Sequence, residues 1–382
     1  MINPRRRCWL IRSLAGTSIL QEAFAIKRHR IAFMLMSAWF AMMGCLSANE
    51  PAPHIDETQV RMAVERAIPL LEKAASGSAD QRECFTCHSQ AIPVLALTRA
   101  LELGFEVDRE NLDRQVSHTF AHLERGQQKY QEGRGQGGQE VTAGYALWTL
   151  EAGGHAPDAV TTAVTSYLLQ SQKEKDHWQR GSKRPPTSGS PFMTSYLAIR
   201  GLNAFGTTDQ QTQIATRRLS VEKWLNDAQP HDTEDHVFQL RLLSTIQQPD
   251  AKLEAAMNRL LALQREDGGW SQLSEAELAS DAYATGTVVA ALLEINETAL
   301  NSNAIRRAIA WLLRDQRDDG SWFVRTRAEG FQEYFESGFP HDEHQFISTS
   351  ASAWSTLALL KSLKNRSPNS QDRSKGLVDG VE

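Results

Sequence analysis

Apolar and polar positions along this chain repeat with the period of an α-helix. Between about residues 60 and 364, helices with a charged face alternate with helices that are apolar on almost every side. The apolar helices cover residues 89–101, 141–150, 193–202, 236–243, 285–293 and 348–360. No segment alternates convincingly with the period of two that marks a half-buried strand. The pattern predicts an all-α protein with the apolar helices inside and the charged helices outside.

The charged helices share a repeated signature, Leu-x-x-x-Gln. Five copies end at Gln127, Gln172, Gln229, Gln264 and Gln316, and residues 67–72 form an earlier copy without the Gln. Repeated helix pairs bury their apolar sides only by stacking on their neighbours, and a closed ring leaves no exposed end. We therefore expect a single α/α toroid of about six helical hairpins over residues 60–364.

Two copies continue into Gln-x-x-x-Gly-x-Trp. They comprise Gln264, Gly268 and Trp270, and Gln316, Gly320 and Trp322; residues 172–178 match except for Asp176 in place of Gly. The pattern resembles the QW motif of squalene and oxidosqualene cyclases, whose α/α toroid is shared by protein prenyltransferase β subunits. The resemblance implies a structural role, with Gln capping an outer helix and Trp packing between turns.

The catalytic residues of those families are incomplete here. Squalene-type cyclases protonate an alkene with an Asp-x-Asp-Asp cluster at the start of an inner helix, and the nearest cluster in this chain is Asp232-Thr233-Glu234-Asp235. Prenyltransferases bind zinc through Asp-x-Cys, whereas this chain has Tyr283 two residues after Asp281. Asp281 remains a candidate catalytic acid, although a helix N-cap explains it equally well.

A second motif lies near the start of the predicted toroid. Residues 84–88 read Cys-x-x-Cys-His, the attachment pattern of c-type haem, in which Cys84 and Cys87 would bind the vinyl groups and His88 the iron. Two alternatives are a disulfide between the cysteines and a zinc site that adds His118 and His122.

The last repeat contains a long aromatic connection. Its aromatic residues are Phe331, Tyr334, Phe335, Phe339 and Phe346. Such a loop is expected either to cover the central cavity, with Glu336 as a second candidate acid, or to form a packed satellite cluster. Candidates for a second axial haem ligand are His341, His344, His118, His122 and Met193.

Charge is distributed unevenly. Residues 1–48 have seven Lys and Arg against one Glu, and the whole chain has a formal net charge of −5, so the remainder is acidic and does not favour a nucleic-acid partner. The basic start and the apolar residues 31–46 predict a signal peptide cleaved after Ala48, with a membrane anchor or a lipid on Cys45 as alternatives. We expect a linker at 49–59 and a disordered tail at 365–382.

The sequence therefore predicts an exported protein, periplasmic or anchored on the outer side of a membrane. Its expected role is that of a haem c protein with a redox or ligand-binding function and an electron-transfer partner. The alternative is an isoprenoid cyclase-like or transferase-like enzyme that acts on an apolar small molecule in the ring.

Overall fold

The structure, a computed structural model, describes residues 53–179, 184–273, 278–330 and 333–363. Throughout these ranges the regular secondary structure is helical and no β-strand occurs, which confirms the all-α prediction. The predicted signal segment, the first residues of the linker and the tail lie outside the described ranges. None of the described helices combines the length and the apolar character that a membrane span requires.

Thirteen α-helices follow one another in the described ranges. They are α1 (Glu57–Gln81), α2 (Ile92–Glu102), α3 (Arg109–Arg125), α4 (Gln127–Gln131), α5 (Gln139–Ala152), α6 (Ala159–Gln170), α7 (Pro191–Phe205), α8 (Gln211–Asp227), α9 (Thr233–Thr245), α10 (Asp250–Ala262), α11 (Ala282–Ile295), α12 (Asn303–Asp315) and α13 (Gln345–Ser362). A π-helical turn, Cys87–Ala91, leads into α2. The first helix begins at Glu57, inside the predicted linker.

The inner layer consists of α2, α5, α7, α9, α11 and α13, the six helices predicted to be apolar on all sides. Nearly every residue of α11 and α13 is buried, as their composition requires. Three of these helices have an N-cap side chain at the residue before the helix. Ser190, Asp232 and Asp281 each accept a hydrogen bond from a backbone N–H in the first turn.

The ring closes on itself. Each inner helix packs against the next, and α13 packs back against α2, while the outer helix α12 contacts α1. At this seam the Nε2 of Gln316 donates to the Ala63 carbonyl at 2.8 Å, and the Nη2 of Arg82 donates to the Glu333 carbonyl at 2.7 Å. The predicted closed toroid is confirmed.

The Gln-x-x-x-Gly-x-Trp turns fix the spacing between repeats. The indole Nε1 of Trp270 donates to the Leu260 carbonyl at 2.8 Å, near the end of α10. The Nε2 of Gln264 donates to Gly268 in its own turn and to Ala304 in the next outer helix, at 2.8 and 2.7 Å. The Trp therefore caps the outer helix and the Gln links neighbouring repeats, which corrects the capping role expected of the Gln. Gln316 and Trp322 make the equivalent hydrogen bonds in their own turn. At Trp178 the indole also donates to the carbonyl of an outer helix, that of Leu168.

Candidate functional site

The first residues of the inner helices meet at one mouth of the ring. Outer and inner helices alternate in direction, so the inner helices run parallel and begin at the same end. Chemically useful side chains at this mouth are those of His88, Glu140, Glu234, Asp281 and Ser348.

Glu234 is a buried carboxyl group on the first turn of α9. It is 4% exposed, its Oε1 accepts a hydrogen bond from the Tyr283 hydroxyl at 2.9 Å, and its Oε2 has no partner among the described residues. Burial, followed by the charge of Asp232, raises the pKa of Glu234 well above its ordinary value. The raised pKa favours the protonated carboxylic acid, the form that can donate a proton.

Glu234 is a candidate site residue that the sequence alone did not single out. Asp232-Thr233-Glu234-Asp235 has the spacing of Asp-x-Asp-Asp with Glu in the third position, and it starts an inner helix. Asp232 accepts from the Asp235 N–H at 2.9 Å, and the Oδ2 of Asp235 accepts from the His231 N–H at 3.0 Å. The flanking carboxylates therefore hold the helix start, which leaves Glu234 as the inward acid of the cluster.

Two buried tyrosines, Tyr145 and Tyr283, interact with Glu234. The Tyr145 hydroxyl donates to the Sδ of Met193 at 3.4 Å. Burial, and then the charges of Glu234 and Cys87, raise the pKa of Tyr145, and burial and Glu234 do the same for Tyr283. Of these groups, the Tyr283 hydroxyl contacts Glu234 directly.

Further along the inner helices, aromatic rings surround a buried cation. The Arg241 guanidinium lies 5.3 to 6.0 Å from four ring centroids, those of Trp148, Tyr196, Phe238 and Trp354. Its Nη1 donates to the Oε2 of Glu294 at 2.7 Å. An arginine–glutamate ion pair therefore already occupies the aromatic part of the ring interior, with the guanidinium beside the four rings.

The carboxyl groups of the two candidate acids named from the sequence differ from that of Glu234 in their surroundings. Asp281 caps α11 by accepting from the Ala284 N–H at 3.0 Å, and its Oδ2 accepts from the Gln272 N–H at 3.3 Å; burial raises its pKa to about 6. Glu336 is exposed and lies beside the Tyr334 hydroxyl. Neither offers a buried, unpartnered carboxyl oxygen of the kind that Glu234 has.

The Cys-x-x-Cys-His residues lie at the seam of the ring. Cys84 is exposed, Cys87 is half-buried and both are free thiols. The His88 ring lies 5.0 Å from the Phe346 ring, so the first and last repeats meet as ring closure predicts. Burial, and then the charge of Arg184, lower the pKa of His88 to about 4.

The zinc alternative is not supported by the positions of its histidines. The Nδ1 of His118 accepts from Gln90 at 2.9 Å and its Nε2 donates to the Arg82 carbonyl at 3.0 Å, so both ring nitrogens are occupied. His122 packs against Phe85 at 6.1 Å. In the described part of the chain no three His, Cys, Asp or Glu side chains form a metal-binding group.

The other candidate axial ligands are also engaged. The Nε2 of His341 pairs with the Ser321 hydroxyl at 2.8 Å, the Nδ1 of His344 accepts from the Thr326 N–H at 3.4 Å, and Met193 accepts from Tyr145. The rings of His341 and His344 both lie against the Phe323 ring.

The aromatic side chains of the loop pack against different partners. Phe335 packs on Phe346 at 5.2 Å beside His88, whereas Phe339 is buried 6.0 Å from the His341 ring in a separate cluster. Tyr334 is 48% exposed at the rim. The predicted residue Phe331 lies outside the described ranges.

Comparison with known proteins identifies the architecture. The family model for the squalene-hopene cyclase C-terminal domain matches residues 200–378. The type II terpene cyclase MstE from Scytonema superposes with a TM-score of 0.52 at 13% identity, over 81% of this chain and 100% of that one. A variant of that cyclase with the product merosterolic acid A gives 0.51 at 14% identity, over 80% and 99%.

A protein described as a possible member of the GH105 family, from Salmonella enterica, gives a TM-score of 0.50 at 12% identity, over 82% of this chain and 96% of that one. A search of curated proteins gives no match. The fold is a squalene-cyclase-like α/α toroid. At these identities the structural matches establish the toroid and not an activity.

Proposed function

We propose that this toroid is an acid-initiated, cyclase-like enzyme that acts on an apolar isoprenoid alkene. The observation that supports this proposal is the buried carboxyl group of Glu234, whose Oε1 accepts a hydrogen bond from Tyr283 and whose Oε2 has no partner among the described residues. The squalene-cyclase-like fold and the Asp-x-Glu-Asp spacing agree with it.

The chemistry follows from the surroundings of Glu234. The acid proton is transferred to one carbon of a C=C bond, and the adjacent carbon becomes a carbocation that a second double bond of the substrate attacks. The cyclised cation then loses a proton to water, which gives a neutral cyclic alkene, and the Glu234 carboxylate takes up a proton from water for the next turnover. The carboxylate left behind keeps the hydrogen bond from Tyr283 and feels the positive charge of Arg241, which also acts to lower the pKa of Glu234. A buried site makes such interactions stronger than in water.

Arg241 sets a limit to the reaction space. The Arg241 guanidinium, paired with Glu294, already lies among the four interior aromatic rings, so their faces are not open to a carbocation that moves inward. The initial cation is therefore expected to remain near the mouth, beside Tyr145 and Tyr283. This favours a short substrate or a single ring closure over the multiple closures of a long polyene.

The test measures transfer of a solvent-derived deuterium to the substrate. The purified protein is incubated in D₂O with a panel of linear polyprenyl alkenes, and products are analysed by mass spectrometry. We expect one deuterium to enter at the protonated carbon. In Glu234→Gln the rate should fall by about 10²–10⁴-fold or more, because no acidic proton is left, and the rate should fall as pH rises through the raised pKa of Glu234.

Two matched variants serve as controls. Asp281→Asn keeps a side chain that caps α11, and Glu336→Gln changes only a rim carboxyl, so both should retain near-normal rates. Thermal unfolding checks that Glu234→Gln is folded. The proposal is wrong if Glu234→Gln is as active as the wild type, or if the wild type converts no member of the panel and incorporates no deuterium.

A further inference from the structure

The Cys-x-x-Cys-His segment is held rigidly from outside the ring. The Nε2 of His118 donates to the Arg82 carbonyl at 3.0 Å, the Glu83 carbonyl accepts from Arg125, and the Thr86 N–H donates to the Gln90 side chain at 2.9 Å. Phe85, between the two cysteines, is buried. Three backbone hydrogen bonds and one buried ring therefore fix the conformation of this segment, as a preorganised binding site requires.

The same anchoring leaves the reactive groups available. Cys84 and Cys87 are free thiols, the first exposed and the second half-buried. The Nδ1 of His88 pairs with the Ser89 hydroxyl at 2.9 Å, and the described residues offer its Nε2 no hydrogen bond. An imidazole whose Nδ1 is held by a neighbour and whose Nε2 is open has the arrangement of a metal-ligating His.

We infer that Cys84 and Cys87 attach a c-type haem covalently and that the Nε2 of His88 ligates its iron. Each thiol adds across one vinyl group: sulfur bonds to the inner vinyl carbon, the thiol hydrogen goes to the outer one, and no electrons are exchanged. The reaction needs reduced thiols and haem, which the host's attachment machinery supplies. This inference goes beyond the proposed acid chemistry and does not depend on it.

The surroundings suit haem better than zinc. Zinc would need further ligands, but both ring nitrogens of His118 are hydrogen-bonded, one to Gln90 and one to the Arg82 carbonyl. No metal-binding group forms among the described residues. Haem needs only the two thiols and one imidazole from this chain. Phe346 and Phe335 supply apolar surface on the His88 side.

The test is spectroscopic and uses the full chain. The protein is produced in a bacterial host that carries a c-type haem attachment system, and is purified from the exported fraction. We expect a Soret band, a haem stain that survives denaturing electrophoresis, and a tryptic peptide spanning residues 84–88 that contains haem. In the pyridine haemochrome spectrum, Cys84→Ser and Cys87→Ser should each shift the α band to longer wavelength, since one vinyl group stays unsaturated.

The double variant Cys84→Ser/Cys87→Ser should lose covalent haem, and His88→Ala should lose the attached haem or its His-ligated spectrum, whereas His54→Ala, at an exposed position, should leave the spectrum unchanged. Peptide mass spectrometry of the wild type decides the matter even if a variant fails to fold. A wild-type protein with two free thiols or a Cys84–Cys87 disulfide, and no haem peptide, overturns the inference. Proton transfer by Glu234 is measured separately, so failure of either proposal leaves the other standing.

Discussion

Two carboxyl groups at the mouth make folding stability depend on pH in the same direction. In Asp281 and Glu234 burial raises the pKa, to about 6 in Asp281. A raised carboxyl pKa means that the folded state binds more protons than the unfolded state between the two pKa values. The stability contribution is therefore fully present below about pH 4 and is lost as pH rises through the folded pKa.

This sign gives a measurable difference between variants. From pH 4 to pH 7 the wild-type free energy of unfolding should lose at most about 3 kcal/mol through Asp281, from a shift of about two pKa units. Asp281→Asn should remove that part of the slope while keeping the cap. Glu234→Gln should flatten the curve at higher pH as well. Urea unfolding at several pH values measures both, and identical slopes in all three proteins would contradict the assignment.

The role of a single residue could be predicted from the sequence where it depends only on neighbouring residues in the chain. The N-cap role of Asp281 follows from its place before an apolar helix, and the structure confirms it. The sequence alone did not single out Glu234, because the burial of its carboxyl group and its hydrogen bond from Tyr283 depend on residues that are distant in sequence. The Asp-x-Glu-Asp spacing was the available signal, but it required accepting Glu in place of Asp in a repeat that looks weak.

Helix pairs and their turns were the most predictable level. Apolar periodicity identified all six inner helices, because burial on every side requires an apolar surface on every side. The function of the turns was less predictable. Which atom the Gln or the Trp side chain bonds depends on the neighbouring repeat, as the bond from Gln264 to Ala304 illustrates.

A matched glycine pair tests the turn. Gly320 has φ +91° and an added Cβ would lie 2.4 Å from the Arg66 carbonyl oxygen, whereas nothing lies within 4 Å of a Cβ added at Gly330. Gly320→Ala should destabilise the protein by about 2–4 kcal/mol through left-handed strain and the clash with α1. Gly330→Ala should change stability by less than about 0.5 kcal/mol. Equal melting temperatures for the two variants would show that the turn does not set the repeat spacing.

For the whole molecule, the consequence of closure is that the first and last repeats stabilise each other. Closure was predictable because six repeats without end caps would expose apolar surface. The detailed seam was not, since it joins residues some 250 positions apart, such as Arg82 with Glu333 and Gln316 with Ala63. Local sequence patterns contain no information on such pairs.

Gly77 in α1 offers a test of the seam in which two physical effects oppose each other. Helix propensity alone predicts that Gly77→Ala stabilises by about 1 kcal/mol. In the closed ring, however, an added Cβ would lie 2.1 Å from the Ser337 carbonyl oxygen in the last repeat. We therefore expect destabilisation by about 1–3 kcal/mol, as for overpacking, with faster hydrogen exchange in both α1 and the first turns of α13.

The neighbouring change Ser76→Ala, which improves helix propensity and affects only a hydroxyl that accepts from Arg114, should leave exchange in α13 unaltered. Because Gly77 lies in the first repeat, a response in α13 reports contact across the seam and not local damage to α1. Stabilisation of Gly77→Ala, or exchange that rises in α1 alone, would mean that the two ends of the chain do not depend on each other in solution.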